Sequence, residues 1–293
     1  MKTISGIDPP RISKRLPIRF FVFLSATYLV SITHAYSQEL DVAYVETPEE
    51  VVDLMLEIGD VGPGDYVVDL GTGDGRIAIA AAKRGAVGLG VDLDPQRVRA
   101  AKENAEKAGI SDRVMFLEQD LFETDLSHAS VVTMYLNSAV NLKLRPTLLE
   151  QLEPGTRIVS HNFDMEDWLP DEHQQFLRNA DGNFYIHDVY YWVIPADISG
   201  EWRGNAGDGR FQMTATQDFQ SIKVEVIVDD RSLVIEEASL NGDRINIVGH
   251  DKQDASQYVF SGAVYKNDVS GIVQKRTADA ELILHWRATR SQH

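Results

Sequence analysis

The densest chemical signal in the chain is Val67-Val-Asp-Leu-Gly-Thr-Gly-Asp-Gly75, where a short apolar run hands over to alternating glycines. Glycines at such a junction let the backbone turn tightly and approach a ligand at the carboxyl edge of a parallel sheet. The dinucleotide fingerprint needs glycine at its first, third and sixth places, and here Arg76 follows Gly71, Gly73 and Gly75, so that reading fails. Two further acids stand where strands should end. Asp92 lies 17 residues after Gly75, where a carboxylate can accept both hydroxyls of a ribose, and Asp120 follows the next apolar run, where a polar edge can meet an adenine amine. Three acids at three successive strand ends point to a nucleoside-bearing ligand.

Those residues need a scaffold that alternates strands with helices, and the pattern from 38 to 196 supplies one. Residues 66–70, 87–91, 114–117, 131–136 and 157–160 read as strands, and 51–58, 76–84, 94–108 and 142–152 as helices. Thr47-Pro48-Glu49 reads as an N-cap, a first-turn proline and an acidic first turn. Asp181-Gly182 marks a turn into a strand over 184–194 that is expected to pair antiparallel at the edge of the sheet. The expected fold class is therefore α/β, a doubly wound and mostly parallel sheet. From 197 to 293 the period changes to two. Phe211, Met213 and Ala215, then Val224, Val226 and Val228, then Leu282, Leu284 and Trp286 alternate with polar residues, which predicts a small all-β barrel or sandwich.

Residues 67–122 resemble the cofactor half of class I S-adenosylmethionine-dependent methyltransferases. The resemblance implies a seven-stranded Rossmann-like sheet with S-adenosyl-L-methionine as cofactor. It implies Asp69 near the methionine amine, Gly71, Thr72, Gly73 and Gly75 beneath the cofactor, Asp92 and Leu93 at the ribose, and Asp120 with Phe122 at the adenine. Tyr44-Val-Glu-Thr-Pro48, Asp69 to Ile77, Val131 to Leu136 and Gly155 to His161, in this order, are similar to archaeal-type broad-specificity protein-lysine methyltransferases. These are related to the telomeric-silencing histone-lysine enzymes. By that likeness Tyr44 and Thr47 fold over the cofactor, while Tyr135, Asn137, His161 and Phe163 frame the methyl acceptor. A lysine acceptor must lose its proton, which an apolar aromatic channel favours by desolvating the ammonium, and Tyr135, Phe163 and Trp168 are the expected lining.

Charge and composition limit the partners. Of 28 Lys and Arg and 45 Asp and Glu, residues 38–196 hold 12 and 29, an acidity that repels phosphate backbones and excludes nucleic acid as the expected acceptor. A protein or a small molecule, lipid-like or quinone-like, fits better. The chain has no cysteine, which removes disulfides, zinc-thiolate sites and cysteine nucleophiles, and no other metal-ligand spacing stands out. Residues 1–37 carry five basic residues and one acid around the 13-residue apolar run Phe20 to Ile32, followed by Ala35-Tyr36-Ser37. That is the pattern of a signal peptide or N-terminal anchor, too short for a span of about 20 residues. It predicts an exported or periplasmic protein, with 20–32 as a possible membrane attachment, and leaves a non-catalytic exported binding protein as an alternative reading.

Overall fold

In the computed structural model, which describes residues 44–291, the first segment is a sheet with helices on both faces. Its elements run α1 (Glu49–Ile58), β1 (Tyr66–Leu70), α2 (Arg76–Lys83), β2 (Val87–Asp92), α3 (Pro95–Ala108), β3 (Val114–Glu118), β4 (Val131–Met134), α4 (Ser138–Gln151), β5 (Arg157–His161), β6 (Glu172–Ala180) and β7 (Asn183–Val193). The seven strands stand in the order β3-β2-β1-β4-β5-β7-β6, parallel except for β7, which is antiparallel to both neighbours. A sheet covered on both faces needs apolar residues at consecutive positions. Val67, Val131, Val159 and Val189 accordingly pack against α1 and α2, while Val68, Val132 and Ile158 pack against α4.

The strand expected at the sheet's edge is not at the edge. β7 lies between β5 and β6, and the outer strand is β6, whose run Glu-His-Gln-Gln-Phe-Leu-Arg-Asn-Ala buries no residue and shows no apolar alternation. Helix α4 begins at Ser138, earlier than the apolar spacing suggests, because the Asn137 side chain accepts from the Val140 N–H and caps it. Thr47 does not cap α1. Pro48 holds the N-cap position without a side-chain bond, and Thr47 is committed elsewhere.

The second segment is a closed, eight-stranded antiparallel barrel: β8 (Gly200–Ala206), β9 (Gly209–Asp218), β10 (Ser221–Val228), β11 (Arg231–Asn241), β12 (Arg244–Asp251), β13 (Gln257–Tyr265), β14 (Asp268–Arg276) and β15 (Glu281–Arg290), with β15 pairing β8 to close it. Closure removes sheet edges and lets alternate residues fill the interior. Trp202, Phe211, Phe260 and Trp286 are all but inaccessible there. Leu282 departs from its expected inward place. At the start of β15 it is 46% exposed, and the alternation becomes inward only further along, at Trp286.

Barrel and sheet belong to one compact unit, joined by specific contacts. Trp168 Nε1 donates to Gln220 Oε1 at 2.9 Å, its ring stacks on Phe219 with centroids 5.4 Å apart, and the Ala196 N–H donates to Gly242 O at 2.8 Å. Trp168 is fully buried at this junction, so it does not line an acceptor channel as the sequence suggested. The signal-like segment 1–37 lies outside the described residues. Among those described, no helix is long and apolar enough to cross a membrane.

Candidate functional site

The site is built where β1 ends. Asp69, paired in register with Thr133 of β4, is 1% exposed, and its two oxygens accept from Thr133 Oγ1 and Thr72 Oγ1, each at 2.7 Å. Burial pushes this carboxyl up to about 6 against the pull of both hydroxyls. Asp69 thus pins the start of the glycine loop from below.

The loop's outer side is held by Asp92, at the end of β2. Its Oδ2 accepts from the Gly73 N–H at 2.8 Å and its Oδ1 from the Asp94 N–H at 2.9 Å. Gly73 has φ 56°, and a Cβ there would lie 2.3 Å from Cε2 of Tyr44, so glycine is required both for the turn and for the ring packed on it. Arg97 lies 3.6 Å over the centroid of that ring. Gly75 is required for packing: a Cβ would strike Phe116 at 2.7 Å, so this glycine seats α2 against β3.

A strap formed by residues 44–47 closes over the loop. Arg76 forks onto Asp74, reaches Glu46 at 2.9 Å and donates to the Thr47 carbonyl at 2.8 Å, tying strap to loop. Thr47 Oγ1 lies 3.1 Å from His161 Nδ1, a contact spanning 114 residues of sequence. His161 is fully buried, and its Nε2 lies 2.9 Å from His187 Nδ1. Burial and the neighbouring His187 depress its pKa to about 3, so the ring is neutral and both nitrogens are engaged. His161, expected at the acceptor, packs its ring against Tyr135 with centroids 3.9 Å apart and also holds Thr47 and β7 in place.

Between strap, loop and strand ends lies a cavity of about 310 Å³. Of the expected cofactor residues, Tyr44, Thr47, Gly71, Thr72, Asp92, Leu93 and Asp120 line it, together with Tyr135 from the expected acceptor set. Asp69, Gly73 and Gly75 shape the loop from outside the lining. Phe122 also stands outside; its N–H donates to Asp120 and its ring carries Lys143 Nζ at 3.7 Å. Phe163 stacks on Tyr135 at 6.2 Å between centroids, and Asn162 Nδ2 donates to the Tyr135 hydroxyl at 3.3 Å. Asp74, Arg76, Asp94, Arg97, Gln119 and Leu136 are among the remaining lining residues and were not anticipated. Asp74 and Arg76 sit in the glycine run itself, and Arg97 lies one helical turn after Asp94, so the spacing contained a signal for them.

The lining holds five carboxylates, from Glu46, Asp74, Asp92, Asp94 and Asp120, against two guanidiniums. Tyr44 presents a buried hydroxyl without a partner, and Ile77, Leu93, Leu121 and Leu136 add apolar surface. Carboxylates for hydroxyls and cationic groups beside an apolar slot fit a nucleoside that carries positive charge. A doubly wound sheet with this loop and these strand-end acids defines a class I S-adenosylmethionine-dependent methyltransferase.

Relatives narrow the class. Residues 69–172 match the family model described as the ANTKMT methyltransferase domain. The chain is 47% identical over 155 residues to the protein-lysine N-methyltransferase of Saccharolobus islandicus, covering 52% of this chain and 94% of that protein. It is 35% identical over 132 residues to the adenine nucleotide translocase lysine N-methyltransferase of Mus musculus, covering 45% of this chain and 57% of that one. Among solved structures, an RNA methyltransferase from Salinibacter ruber in complex with S-adenosyl-L-homocysteine is 51% identical, covers 53% of this chain and 96% of that one, and superposes with a TM-score of 0.47. The chain belongs to the S-adenosylmethionine-dependent methyltransferases, with its ANTKMT-type match confined to residues 69–172, and its cofactor is S-adenosylmethionine. An enzyme replaces the alternative of a non-catalytic binding protein.

Proposed function

We propose that the methyl acceptor is a lysine side chain of a protein. The observation that carries this reading is the 47% identity to the Saccharolobus protein-lysine enzyme across 94% of its length. The electrostatics support it. Five carboxylates around the cavity favour an approaching ammonium and oppose the phosphates of a nucleic acid.

When bound, the cofactor supplies a methyl group already activated on a sulfonium, so the protein has only to present a neutral amine in line with it. Asp92 and the glycine loop fix the donor side. Tyr135, which reaches the cavity and stacks on Phe163, offers an aromatic wall against which the lysine stem packs and its ammonium is desolvated. Desolvation lowers the amine's pKa from near 10.4, and the proton leaves to water, so no dedicated base is needed. His161 acts as a positioning residue through Thr47 rather than as that base.

The test is incubation of the purified full chain with methyl-tritiated S-adenosylmethionine and a cell lysate, followed by acid hydrolysis and chromatography of the labelled amino acids. Label eluting as methylated lysine, and lost in Asp92→Ala, is the expected result. Label confined to RNA or to a small-molecule extract overturns the lysine reading while leaving the enzyme class untouched.

A further inference from the structure

The β6–β7 hairpin outruns the sheet. β5 ends at His161, opposite Val189, and because β7 is antiparallel its residues 183–187 continue past the carboxyl edge, the side on which the cavity opens. At about 3.3 Å per residue, that is an arm on the order of 15 Å long. Its root is joined to the acceptor side of the site. Asn162 Oδ1 accepts from the Asp188 N–H at 3.0 Å, while Asn162 Nδ2 donates to the hydroxyl of Tyr135.

The two faces of the arm differ. His187 and Arg178 share the face towards α1, where His187 meets His161 and Arg178 pairs with Glu50 at 3.7 Å. On the opposite face, strand register brings Leu177 against Ile186, with Phe184 two positions along, and these are 60, 60 and 67% exposed. Nearer the root the same face carries Tyr190, stacked on His173 with centroids 4.4 Å apart, and Asp188. Burial first, and then the carboxylates of Asp188 and Asp164, raise the pKa of Tyr190. This face holds no Lys or Arg in β6 or β7, since the one arginine there, Arg178, points the other way. Exposed apolar side chains rarely gather without a partner.

We infer that this face of the β6–β7 arm is the docking surface for the acceptor protein, taking an extended segment in which the target lysine is flanked by apolar residues. The inference rests on the lysine reading of the site. Leu177, Phe184 and Ile186 receive the apolar flank, and the aromatic, acidic root of the arm guides the cationic side chain towards Tyr135. Charge complementarity, and the Asn162 link from the arm's root to Tyr135 of the cavity wall, select this occupant.

The experiment uses the full chain, S-adenosylmethionine and two synthetic peptides, each with one central lysine, flanked by Leu and Phe in one and by Gly and Ser in the other. The wild type is expected to favour the apolar peptide by about tenfold or more in kcat/KM, as a few buried apolar anchors provide. Phe184→Ser with Ile186→Ser abolishes the preference through KM, and leaves turnover of the Gly/Ser peptide and the Kd for S-adenosylhomocysteine unchanged. Equal use of both peptides by the wild type, or a preference retained in the double variant, overturns the inference and leaves the lysine reading standing. Cofactor binding with neither peptide methylated overturns both. A wild-type dimer that the double variant splits, with peptide preference intact, overturns it in favour of self-association.

Discussion

The carboxylate of Asp92 and the backbone N–H of Gly73, nineteen residues apart in sequence, meet at 2.8 Å, and the glycine loop takes its shape from that bond. The other oxygen of Asp92 holds the Asp94 N–H, so a single side chain serves two strand-end turns and still faces the cavity. Asparagine can accept only one of these bonds and turns an N–H₂ towards the other donor. Asp92→Asn is therefore predicted to weaken S-adenosylhomocysteine binding by about 2 kcal/mol, on the order of thirtyfold in Kd, measured by titration calorimetry. An unchanged Kd would mean that the loop keeps its shape without Asp92.

Gly73→Ala places a methyl group on the Tyr44 ring and forces an L-residue to φ 56°, a cost of about 1–2 kcal/mol for the backbone alone. The variant is predicted to unfold at lower urea and to lose cofactor binding. Adding Tyr44→Ala removes the collision but not the backbone strain. The double variant should recover part of the urea midpoint, and no recovery would contradict the contact.

Two buried groups titrate with opposite sign. His161 takes a proton near 6.5 when unfolded but only near 3 in the fold, so between these values stability falls as pH falls, by about 1.4 kcal/mol per unit. Asp69 moves from 3.8 to about 6, so between those values the fold holds the extra proton and stability falls as pH rises. The slopes oppose one another between about 4 and 6. Relative to wild type, His161→Gln is predicted to gain stability and Asp69→Asn to lose it as pH is lowered across that window. Urea midpoints at several pH values check both, and parallel curves for all three proteins would refute the assignment.

At the junction, Gln220 accepts from Trp168 Nε1 and donates to the Leu169 carbonyl at 2.7 Å. Gln220→Met leaves a buried indole N–H without an acceptor and is predicted to cost about 1–3 kcal/mol in urea unfolding. Trp168→Phe in the same chain removes the orphan donor, so the two losses should not add. Strict additivity would mean that the bond contributes nothing.

What sequence reading reached and what it missed divide along the range of the interactions. The glycine loop, Asp92 and Asp120 are legible because strand ends in a parallel sheet come at intervals set by the intervening helices. Thr47 is legible only as a residue of the site, since Thr-Pro-Glu also reads as a helix start and its hydrogen-bond partner, His161, lies 114 residues away. β6 escaped because half of the hairpin stands beyond the sheet and needs no apolar alternation. Trp168 looks like a channel residue until the barrel supplies Gln220 and Phe219. Leu282 continues the alternation of β15 in sequence, but the strand's first residues are exposed and its buried positions begin only at Trp286.

Lysine methylation is tested most directly by tandem mass spectrometry of a peptide bearing a single lysine, after incubation with the full chain and S-adenosylmethionine, beside the same peptide with norleucine at that place. A one-methyl mass increment is predicted on the lysine, with none on the norleucine peptide, and it should form more slowly in Asp92→Asn at limiting S-adenosylmethionine. An increment located on any other residue, or methyl transfer that goes to RNA or a small molecule and leaves lysine unmodified, would contradict the assignment.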